Sequence, residues 1–352
     1  MTENRFNKRI RITSTILNKI AKIDEFKGIW RTGLRLSPQI LGRLKKSVII
    51  TSTGASTRIE GAKMNDEEIA RLLRGLKSKK PQGRDAEEVA GYADLLGRIL
   101  DNYKTLKLTE GQILQFHKIL LNFSSKDQIH KGRYKSKDNI VVAINAEGKQ
   151  VILFRPTPPY LVKKEMNDII FWTNAELDKK EMHPLLTIAN SIFEFLAIHP
   201  FLDGNGRLSR ALTNLLLLKA GYAYIPYVSL EEVIEERQTE YYLALRATQK
   251  NHKTNKEDIT QWLEFFLDTL IEQIIRAKKL MEAEDPEKLL SEKQLEIYHL
   301  FDTNDTLSVA EIDKQLKGNI PQATIKQALS RLVFLKLLER IGLGRSTRYR
   351  KL

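Results

Sequence analysis

The residues with the clearest potential for chemistry form one stretch of twelve, from His199 to Arg210, with the sequence HPFLDGNGRLSR. An apolar run precedes this stretch and another follows it, so it is predicted to connect two buried helices. Gly204, Asn205 and Gly206 tolerate a positive φ, and backbone N–H groups in such a turn can converge on an anion. The second helix would direct its positive dipole end at the same place. The spacing therefore predicts an anion site where the two helices meet.

The charged side chains of this stretch suit a polyphosphate and its metal ion. Arg207 and Arg210 lie three residues apart on the first turn of the second helix, and two guanidiniums favour a polyphosphate over a single carboxylate. Asp203 supplies a hard oxygen ligand for the Mg²⁺ that accompanies nucleotides, and His199 could take a proton from an incoming hydroxyl. The alternative is a glycine-rich turn with a charge cluster at a helix N-terminus, which the full combination of residue types disfavours.

The stretch resembles the signature of the Fic family, HPFx(D/E)GNGRxxR, at every fixed position. The resemblance implies a mainly helical Fic-type bundle that transfers AMP from ATP to a Ser, Thr or Tyr hydroxyl of a target protein. It implies that His199 is the base and that Asp203 is the Mg²⁺ ligand. Gly204–Gly206 would form the phosphate-binding nest. Arg207 would hold the α- and β-phosphates, and Arg210 would hold the γ-phosphate.

A second motif, STRIEG, lies upstream at residues 56–61. Gly61 is typical of a helix C-cap, which places Glu60 in the last turn, where an acid opposes the helix dipole. By spacing alone, Glu60 is an exposed acid at a helix end or the partner of a distant cation. Ser56, Glu60 and Gly61 match the (S/T)xxxE(G/N) motif of the Fic inhibitory helix, and the resemblance implies that Glu60 pairs with Arg210 and restrains transfer. The resemblance also allows the same site to remove AMP with a water molecule.

Two β-rich runs interrupt the helical patterns, at 140–144 and 151–154. The residues between them predict a hairpin, and because two strands alone are marginally stable, it must pack on helices. The hairpin could be a structural arm only. The resemblance implies instead that residues 140–155 form the Fic flap, along which a target protein adds a strand and presents its hydroxyl to His199.

Three further side chains have weaker signals. Tyr241 and Tyr242 lie on a later helical pattern and are candidates for the wall of the nucleotide pocket, although aromatic residues at helical spacing usually belong to a core. His117 lies within an apolar helical pattern, which favours a structural role.

The C-terminal part differs in composition. Residues 282–287 are acidic and contain a proline, which predicts a linker, whereas Lys317–Leu352 contains nine Lys or Arg and one Glu. Three helical patterns and a basic hairpin resemble a winged helix-turn-helix, with Ala323–Leu337 as the recognition helix. The candidate DNA contacts are Gln322, Thr324, Gln327, Arg331, Arg345, Arg348 and Arg350. Because winged helices also dock proteins, DNA and protein both stay open as its partner.

Composition limits the remaining classes of function. The net charge of +14 favours polyanionic partners. The absence of cysteine excludes disulfides and thiolate metal sites. No apolar run approaches the ~20 residues needed to span a bilayer, and the N-terminus is polar rather than typical of a signal peptide. We therefore expect a cytoplasmic protein without a membrane partner.

The predicted fold is mainly α, a Fic-type helical bundle with a β-hairpin flap and a C-terminal winged-helix domain. The predicted regions are an N-terminal helical region with the inhibitory helix at 1–105, a catalytic core at 106–280 and a winged helix at 288–352. The alternative function is a DNA-binding regulator whose Fic-like domain only senses nucleotide, which His199 disfavours because sensing needs no base. The sequence leaves open the target protein, the direction of AMP transfer and whether the chain forms a homo-oligomer.

Overall fold

A computed structural model describes residues 5–33, 38–76, 80–139, 141–144, 150–283, 290–335, 337–342 and 344–352. The described residues are mostly helical, with two short antiparallel hairpins, which confirms the prediction of a mainly α fold. They form two compact units, Met1–Arg31 with Leu44–Arg276 and Thr32–Arg43 with Ala277–Leu352. Helices from the predicted N-terminal region and from the predicted core thus lie in one unit, and the division into three regions stays a prediction.

Twelve helices are described before residue 284. In chain order they are α1 (Arg5–Lys8), α2 (Ser14–Gly33), α3 (Pro38–Ile59), α4 (Asp66–Gly75), α5 (Arg84–Asn102), α6 (Glu110–Leu120), α7 (Pro159–Lys179), α8 (Pro184–Ile198), α9 (Asn205–Lys219), α10 (Leu230–Glu236), α11 (Gln238–Gln249) and α12 (Thr260–Ala283). Among all described helices, none combines the length and the apolar character needed to cross a membrane.

The core of the first unit is built around α8 and α9. Every residue of α8 from Leu185 to Ile198 is buried, as is every residue of α9 from Arg207 to Leu218. A helix buried on all sides needs partners all round, and α8 packs against α7 and α9 while α9 also packs against α5 and α6. The loop that joins α8 to α9 therefore lies between two buried helix ends.

The predicted hairpin is present. Strand β1 (Val141–Ile144) pairs antiparallel with β2 (Gln150–Phe154), with a register irregularity between Val141 and Val142. Residue 140 and the turn residues 145–149 of the predicted flap lie outside the described residues. The ring of Phe154 lies 6.0 Å from that of His252, so the C-terminal end of the hairpin packs against the helical unit. This agrees with the expectation that two strands alone are only marginally stable.

The second unit contains three helices and a hairpin beyond residue 289. These are α13 (Glu292–His299), α14 (Val309–Gln315), α15 (Gln322–Phe334), β3 (Leu338–Ile341) and β4 (Arg348–Lys351). Ser291 and Ser308 begin α13 and α14 with capping boxes, which satisfy the first backbone donors of each helix. Residues 284–287 of the predicted linker and residues 288–289 of the predicted winged helix lie outside the described residues, and the winged-helix assignment stays a prediction.

Two of the arginines predicted to contact DNA are paired with acids of the same unit. Arg348 Nη2 donates to Glu311 Oε2 at 2.7 Å, and Arg350 Nε donates to Glu339 Oε1 at 2.7 Å. On the recognition-helix candidate α15, Gln327 and Arg331 are exposed as predicted. The hairpin thus offers less free positive charge to a phosphate backbone than its sequence indicates.

Gly91 allows α5 and α6 to approach each other closely. A Cβ atom at this position would lie 1.9 Å from the Leu120 carbonyl oxygen. This oxygen belongs to the backbone, so it cannot move away by a change of rotamer. Gly97 lies on the same helix with no heavy atom of the described chain within 4 Å of its Cβ position. Gly91 is therefore a packing requirement, and Gly97 is not.

We predict that Gly91→Ala lowers the free energy of unfolding of the first unit by about 1–3 kcal/mol, because the two helices must separate. Gly97→Ala should be neutral or should raise it by about 0.5–1 kcal/mol, because alanine favours a helix interior. Urea denaturation followed by circular dichroism measures both. Equal effects of the two substitutions would contradict the close contact.

Candidate active site

The loop from His199 to Gly204 is fixed by its own sequence. His199 ends α8 in the left-handed region, with φ 51° and ψ 61°, and Pro200 prevents continuation of the helix. The buried side chain of Asn205 closes the loop, because its Oδ1 accepts from Phe201 N at 2.9 Å and its Nδ2 donates to Phe201 O at 2.8 Å. The side chain of Asn205 therefore shapes the predicted nest rather than facing an anion.

His117 supports the same loop from α6. Its ring stacks on the Phe201 ring at 3.8 Å with an interplanar angle of 11°. Its Nδ1 accepts from Gly132 N at 2.9 Å, so its Nε2 carries the proton and donates to Asp203 O at 3.1 Å. Burial lowers the pKa of His117 to about 4, so the ring is neutral at pH 7. These contacts agree with the structural role predicted for His117. They also place its ring in contact with the loop of the candidate site.

The two arginines of α9 are almost wholly buried. Arg207 donates through Nη2 to Asp203 Oδ2 at 2.7 Å, and its Nη1 lies 3.1 Å from Glu88 Oε2. Arg210 donates through Nε to Ser56 Oγ and through Nη2 to both Ser56 O and Glu60 Oε1, each at 2.8 Å. The structure therefore brings the upstream motif of α3 onto the arginine that the sequence predicted.

Three buried nitrogens of these guanidiniums form no hydrogen bond with the described residues, namely Nε and Nη1 of Arg207 and Nη1 of Arg210. Arg207 Nη1 still has the ion pair with Glu88, which leaves Arg207 Nε and Arg210 Nη1 as donors without an acceptor among the described residues. Buried polar groups are normally hydrogen-bonded, and a guanidinium is always charged. Unpaired donors from two guanidiniums at the start of one helix are the chemistry of an anion site.

The Glu60 carboxylate lies at the N-terminal end of α9. A Cβ atom at Gly206 would be 2.1 Å from Glu60 Oε1, so the carboxylate rests directly on the glycine of the nest. The Glu60 side chain is 32% exposed, so it can leave this position without unpacking the core. At a helix N-terminus a carboxylate is favoured by the helix dipole, and any other anion bound there would compete with it.

The end of α3 is anchored next to Glu60. Arg58 donates through Nε to Glu235 Oε1 at 2.6 Å and through Nη1 to Asp66 Oδ1 at 2.9 Å. Gly61 follows with φ 98°, the left-handed conformation that favours glycine after a helix. This confirms the predicted helix end and keeps the Glu60 backbone in place while its side chain stays adjustable.

The environment of His199 keeps its imidazole neutral. Burial and the positive charge of Lys135 lower the pKa of His199 to about 4, against the opposing charges of Glu60 and Asp203. The pKa of Asp203 is also lowered: burial opposes ionisation, but the Arg207 charge and the Gly204 backbone favour it. At neutral pH the site therefore presents a neutral base beside a carboxylate.

Tyr241 and Tyr242 lie beside the Glu60–Arg210 pair. Burial raises the pKa of Tyr241 above its usual value, and the positive charge of Arg210 opposes this rise. Tyr242 is 44% exposed, and its hydroxyl lies 3.4 Å from the Ile59 carbonyl oxygen. Both tyrosines are thus adjacent to the candidate site, and their contact with nucleotide stays a prediction.

The sequence analysis missed Glu88, Lys135 and Asn139. Glu88 belongs to an ordinary charged helix face, and only the packing of α5 on α9 brings it to Arg207. Lys135 and Asn139 bind the His199 loop from the segment that precedes β1. Their position between Gly132 and the predicted flap was the available signal, but lysine and asparagine in a polar segment are usually exposed.

Comparison with known proteins identifies the core of this unit. Residues 107–217 match the sequence model of the Fic/DOC family. The chain is 29% identical over 153 residues to the protein adenylyltransferase fic-1 of Caenorhabditis elegans, which covers 44% of this chain and 25% of that protein. It is 26% identical over 239 residues to the protein adenylyltransferase Fic of Drosophila persimilis, which covers 66% of this chain and 41% of that protein. The chain thus spans less than half the length of these curated relatives.

The solved structures show the same fold. A Fic family protein from Desulfovibrio desulfuricans G20 superposes with a TM-score of 0.61 at 24% sequence identity, over 97% of both chains. The match at residues 107–217 contains His117, His199 and the whole loop to Arg210, whereas Glu60 lies before it. Residues 107–217, including this loop, are therefore similar to the Fic/DOC family in sequence, and the chain shares its fold with a Fic family structure.

Proposed function

We propose that this chain is a protein adenylyltransferase, which transfers AMP from ATP to a Ser, Thr or Tyr hydroxyl of a target protein. The observation that carries the proposal is that Arg207 Nε and Arg210 Nη1, both buried near the start of α9, have no acceptor among the described residues. The phosphates of ATP would supply the missing acceptors. The activity named for the curated relatives supports the same reaction.

In this reaction the target hydroxyl attacks the α-phosphorus of ATP. His199 takes the hydroxyl proton, a bond forms between the hydroxyl oxygen and the phosphorus, and the bond to pyrophosphate breaks. A neutral imidazole is the form that can accept the proton. The remaining contribution is alignment of the phosphates and compensation of their charge, as in other phosphoryl transfers.

Asp203 would hold the Mg²⁺ that accompanies ATP, and the ion would neutralise phosphate charge. Its carboxyl is ionised and its side chain is 45% exposed, so a cation can reach it beside Arg207. The group Glu194, His252 and Glu257 also has metal-ligand spacing. However, the guanidiniums of Arg5 and Arg9 pair with these carboxylates, so their charge is already compensated and Asp203 is the better candidate.

Glu60 would restrain the transfer. Its carboxylate pairs with Arg210 and covers Gly206, so the γ-phosphate that Arg210 should hold meets an occupied guanidinium and a like charge. ATP could still bind through the other contacts, but its α-phosphorus would lie out of line with the hydroxyl near His199. The same carboxylate could orient water for removal of AMP from a modified protein, which breaks the same oxygen–phosphorus bond by hydrolysis.

The target protein would bind along the flap, residues 140–155. Strands β1 and β2 form a two-stranded sheet in the described chain, so backbone groups at its edges can pair with an added strand. Such pairing reads backbone more than side chains and suits varied target sequences. The wider assignment of residues 288–352 to a winged helix that binds DNA or protein is a separate proposal, and the pairing of Arg348 and Arg350 with acids favours protein.

Substitution of Glu60 tests the restraint. Glu60→Gly should raise the initial rate of AMP incorporation from labelled ATP by about 10- to 100-fold, because the chemistry depends steeply on phosphate alignment. ATP affinity should change only a few-fold. Glu60→Gln keeps the size of the side chain and removes its charge, so it should raise the rate by less.

The double variant Glu60→Gly, Arg210→Ala controls for the mechanism of this gain. It should lose the increase, because the released guanidinium no longer exists. An unchanged rate in a folded Glu60→Gly protein would end the inhibitory assignment.

Removal of the base tests the chemical step. In the Glu60→Gly background, His199→Ala should lower the rate of transfer by about 10²–10⁴-fold. Binding of ATP, measured by calorimetry, should stay nearly the same because His199 serves the hydroxyl and not the phosphates. Transfer at the rate of the parent protein would exclude His199 as the base.

The pH dependence tests the environment of His199. Because the pKa of His199 is lowered to about 4, the neutral base persists across neutral and mildly acidic pH. The rate constant of the Glu60→Gly variant should therefore stay level from about pH 8 to about pH 6, whereas an ordinary imidazole titrates at about 6.5. The charge of Glu60 raises the pKa of His199. Its removal in the Glu60→Gly variant should therefore not shift the acidic fall of the rate to higher pH. A half-maximal rate near pH 6.5 assigned to His199 would contradict the buried geometry.

A further inference from the structure

The segment from Lys135 to Asn139, which precedes the flap, is bonded to the loop that carries His199. Lys135 N donates to Pro200 O at 2.9 Å, and Lys135 Nζ donates to Ile198 O at 3.2 Å. Lys135 Nζ also donates to Asn139 Oδ1 at 2.7 Å, and Asn139 Nδ2 donates to Phe201 O at 3.0 Å. Carbonyls on both sides of His199 are therefore held by this one segment.

These bonds act where the backbone needs support. His199 is a non-glycine residue at positive φ, a strained conformation that persists only when its surroundings enforce it. Its neighbours Ile198, Pro200 and Phe201 direct carbonyls into a buried region, where each needs a donor. Because the ring of His199 projects from this backbone, the donors that fix the carbonyls also fix where the ring points.

The side chain of Lys135 is unusual for its type. The residue is 3% exposed, although lysine is almost never fully buried without a partner. No carboxylate of the described residues forms an ion pair with it within 4.0 Å, and its bonds go to neutral oxygens. Burial lowers its pKa to about 8, so at pH 7 it still carries a positive charge beside the imidazole.

We propose that Lys135, braced by Asn139, is a positioning residue for His199, which holds the loop in the geometry needed for proton transfer. The charge of Lys135 adds a second effect, because a cation near the ring disfavours its protonation. The groups that face His199 are then Lys135, which opposes protonation, and Glu60 and Asp203, which favour it. The kinetic part of this inference rests on the proposed transferase function, whereas the structural part does not.

Ring titration by nuclear magnetic resonance tests the structural part without any activity. The chain has six histidines, and His199→Ala identifies the signal of His199. In Lys135→Met the ring of His199 should titrate at higher pH than in the wild type, because the neighbouring charge is gone. Lys135→Arg keeps a cation with several donors and should restore most of the wild-type value.

Lys27→Met is the matched control. Lys27 is a partly buried lysine whose Nζ donates to Ala220 O at 2.8 Å, in the same unit as His199. The Lys27→Met substitution should lower the free energy of unfolding and leave the pH at which His199 titrates unchanged. A His199 signal that titrates identically in wild type and Lys135→Met would overturn the proposal.

Kinetics in the Glu60→Gly background test the positioning effect. Lys135→Met should lower kcat by about 10- to 100-fold with little change in the KM for ATP, and Lys135→Arg should recover most of kcat. A merely structural lysine would lower the midpoint of unfolding without this split. An unchanged kcat in a folded Lys135→Met protein would overturn the positioning role.

Two further outcomes have a defined meaning. If the Glu60→Gly parent transfers no AMP, the proposed function fails, and the ring titration alone decides the role of Lys135. If Lys135→Met does not fold, Asn139→Ala replaces it, because it removes the bond to Phe201 O and the brace of Lys135. That variant should lower kcat in the same direction by a smaller factor, and an unchanged kcat would count against the proposal.

Discussion

The site depends on the burial of two guanidiniums at the first turn of α9. A buried charge without a partner is strongly destabilising, so the surrounding elements have to supply anions and acceptors. Glu88 from α5, Asp203 from the loop and Ser56 and Glu60 from α3 do so. Even with them, some donors stay unpaired. The incompleteness of this pairing is what makes the place suitable for the phosphates of a nucleotide.

The same pairing is the basis of the proposed restraint, in which Glu60 occupies the guanidinium that would bind phosphate. Arg210 must find an acceptor when no nucleotide is bound, and Glu60 provides one from a side chain that is partly exposed. Ser56 and the anchored end of α3 hold the helix in place, so only the carboxylate has to move. Release of the proposed restraint would therefore need movement of the Glu60 side chain alone, without a change in the core of α8 and α9.

His199, the proposed base, is held by a different set of contacts. Asn205, His117 and the segment of Lys135 and Asn139 bind the loop of His199 through its backbone and through Phe201. None of these bonds uses the atoms that would contact the phosphates. In the proposed function, one group of side chains would align the nucleotide and a second group would orient His199, and one short loop joins the two groups.

The sequence by itself determined the mainly helical fold, the hairpin, the loop from His199 to Arg210 and the helix end at Gly61. Each of these follows from local rules, namely helical periodicity, a proline after a helix, and glycines that accept positive φ. The resemblance to one family then supplied the pairing of Glu60 with Arg210. Spacing alone could not have done so, because the two residues are 150 positions apart.

Only the tertiary structure decided which polar residues meet at the site. Glu88, Lys135 and Asn139 occur in polar segments where most such residues are solvated, and nothing in their neighbours distinguishes them. They reach Arg207 and the His199 loop because α5 packs on α9 and because the chain before β1 crosses the end of α8. The packing also places Arg348 and Arg350 beside acids of the same unit, and their contact with DNA stays a prediction. Pairing between residues far apart in the sequence depends on how distant elements pack, so a local sequence pattern cannot predict it.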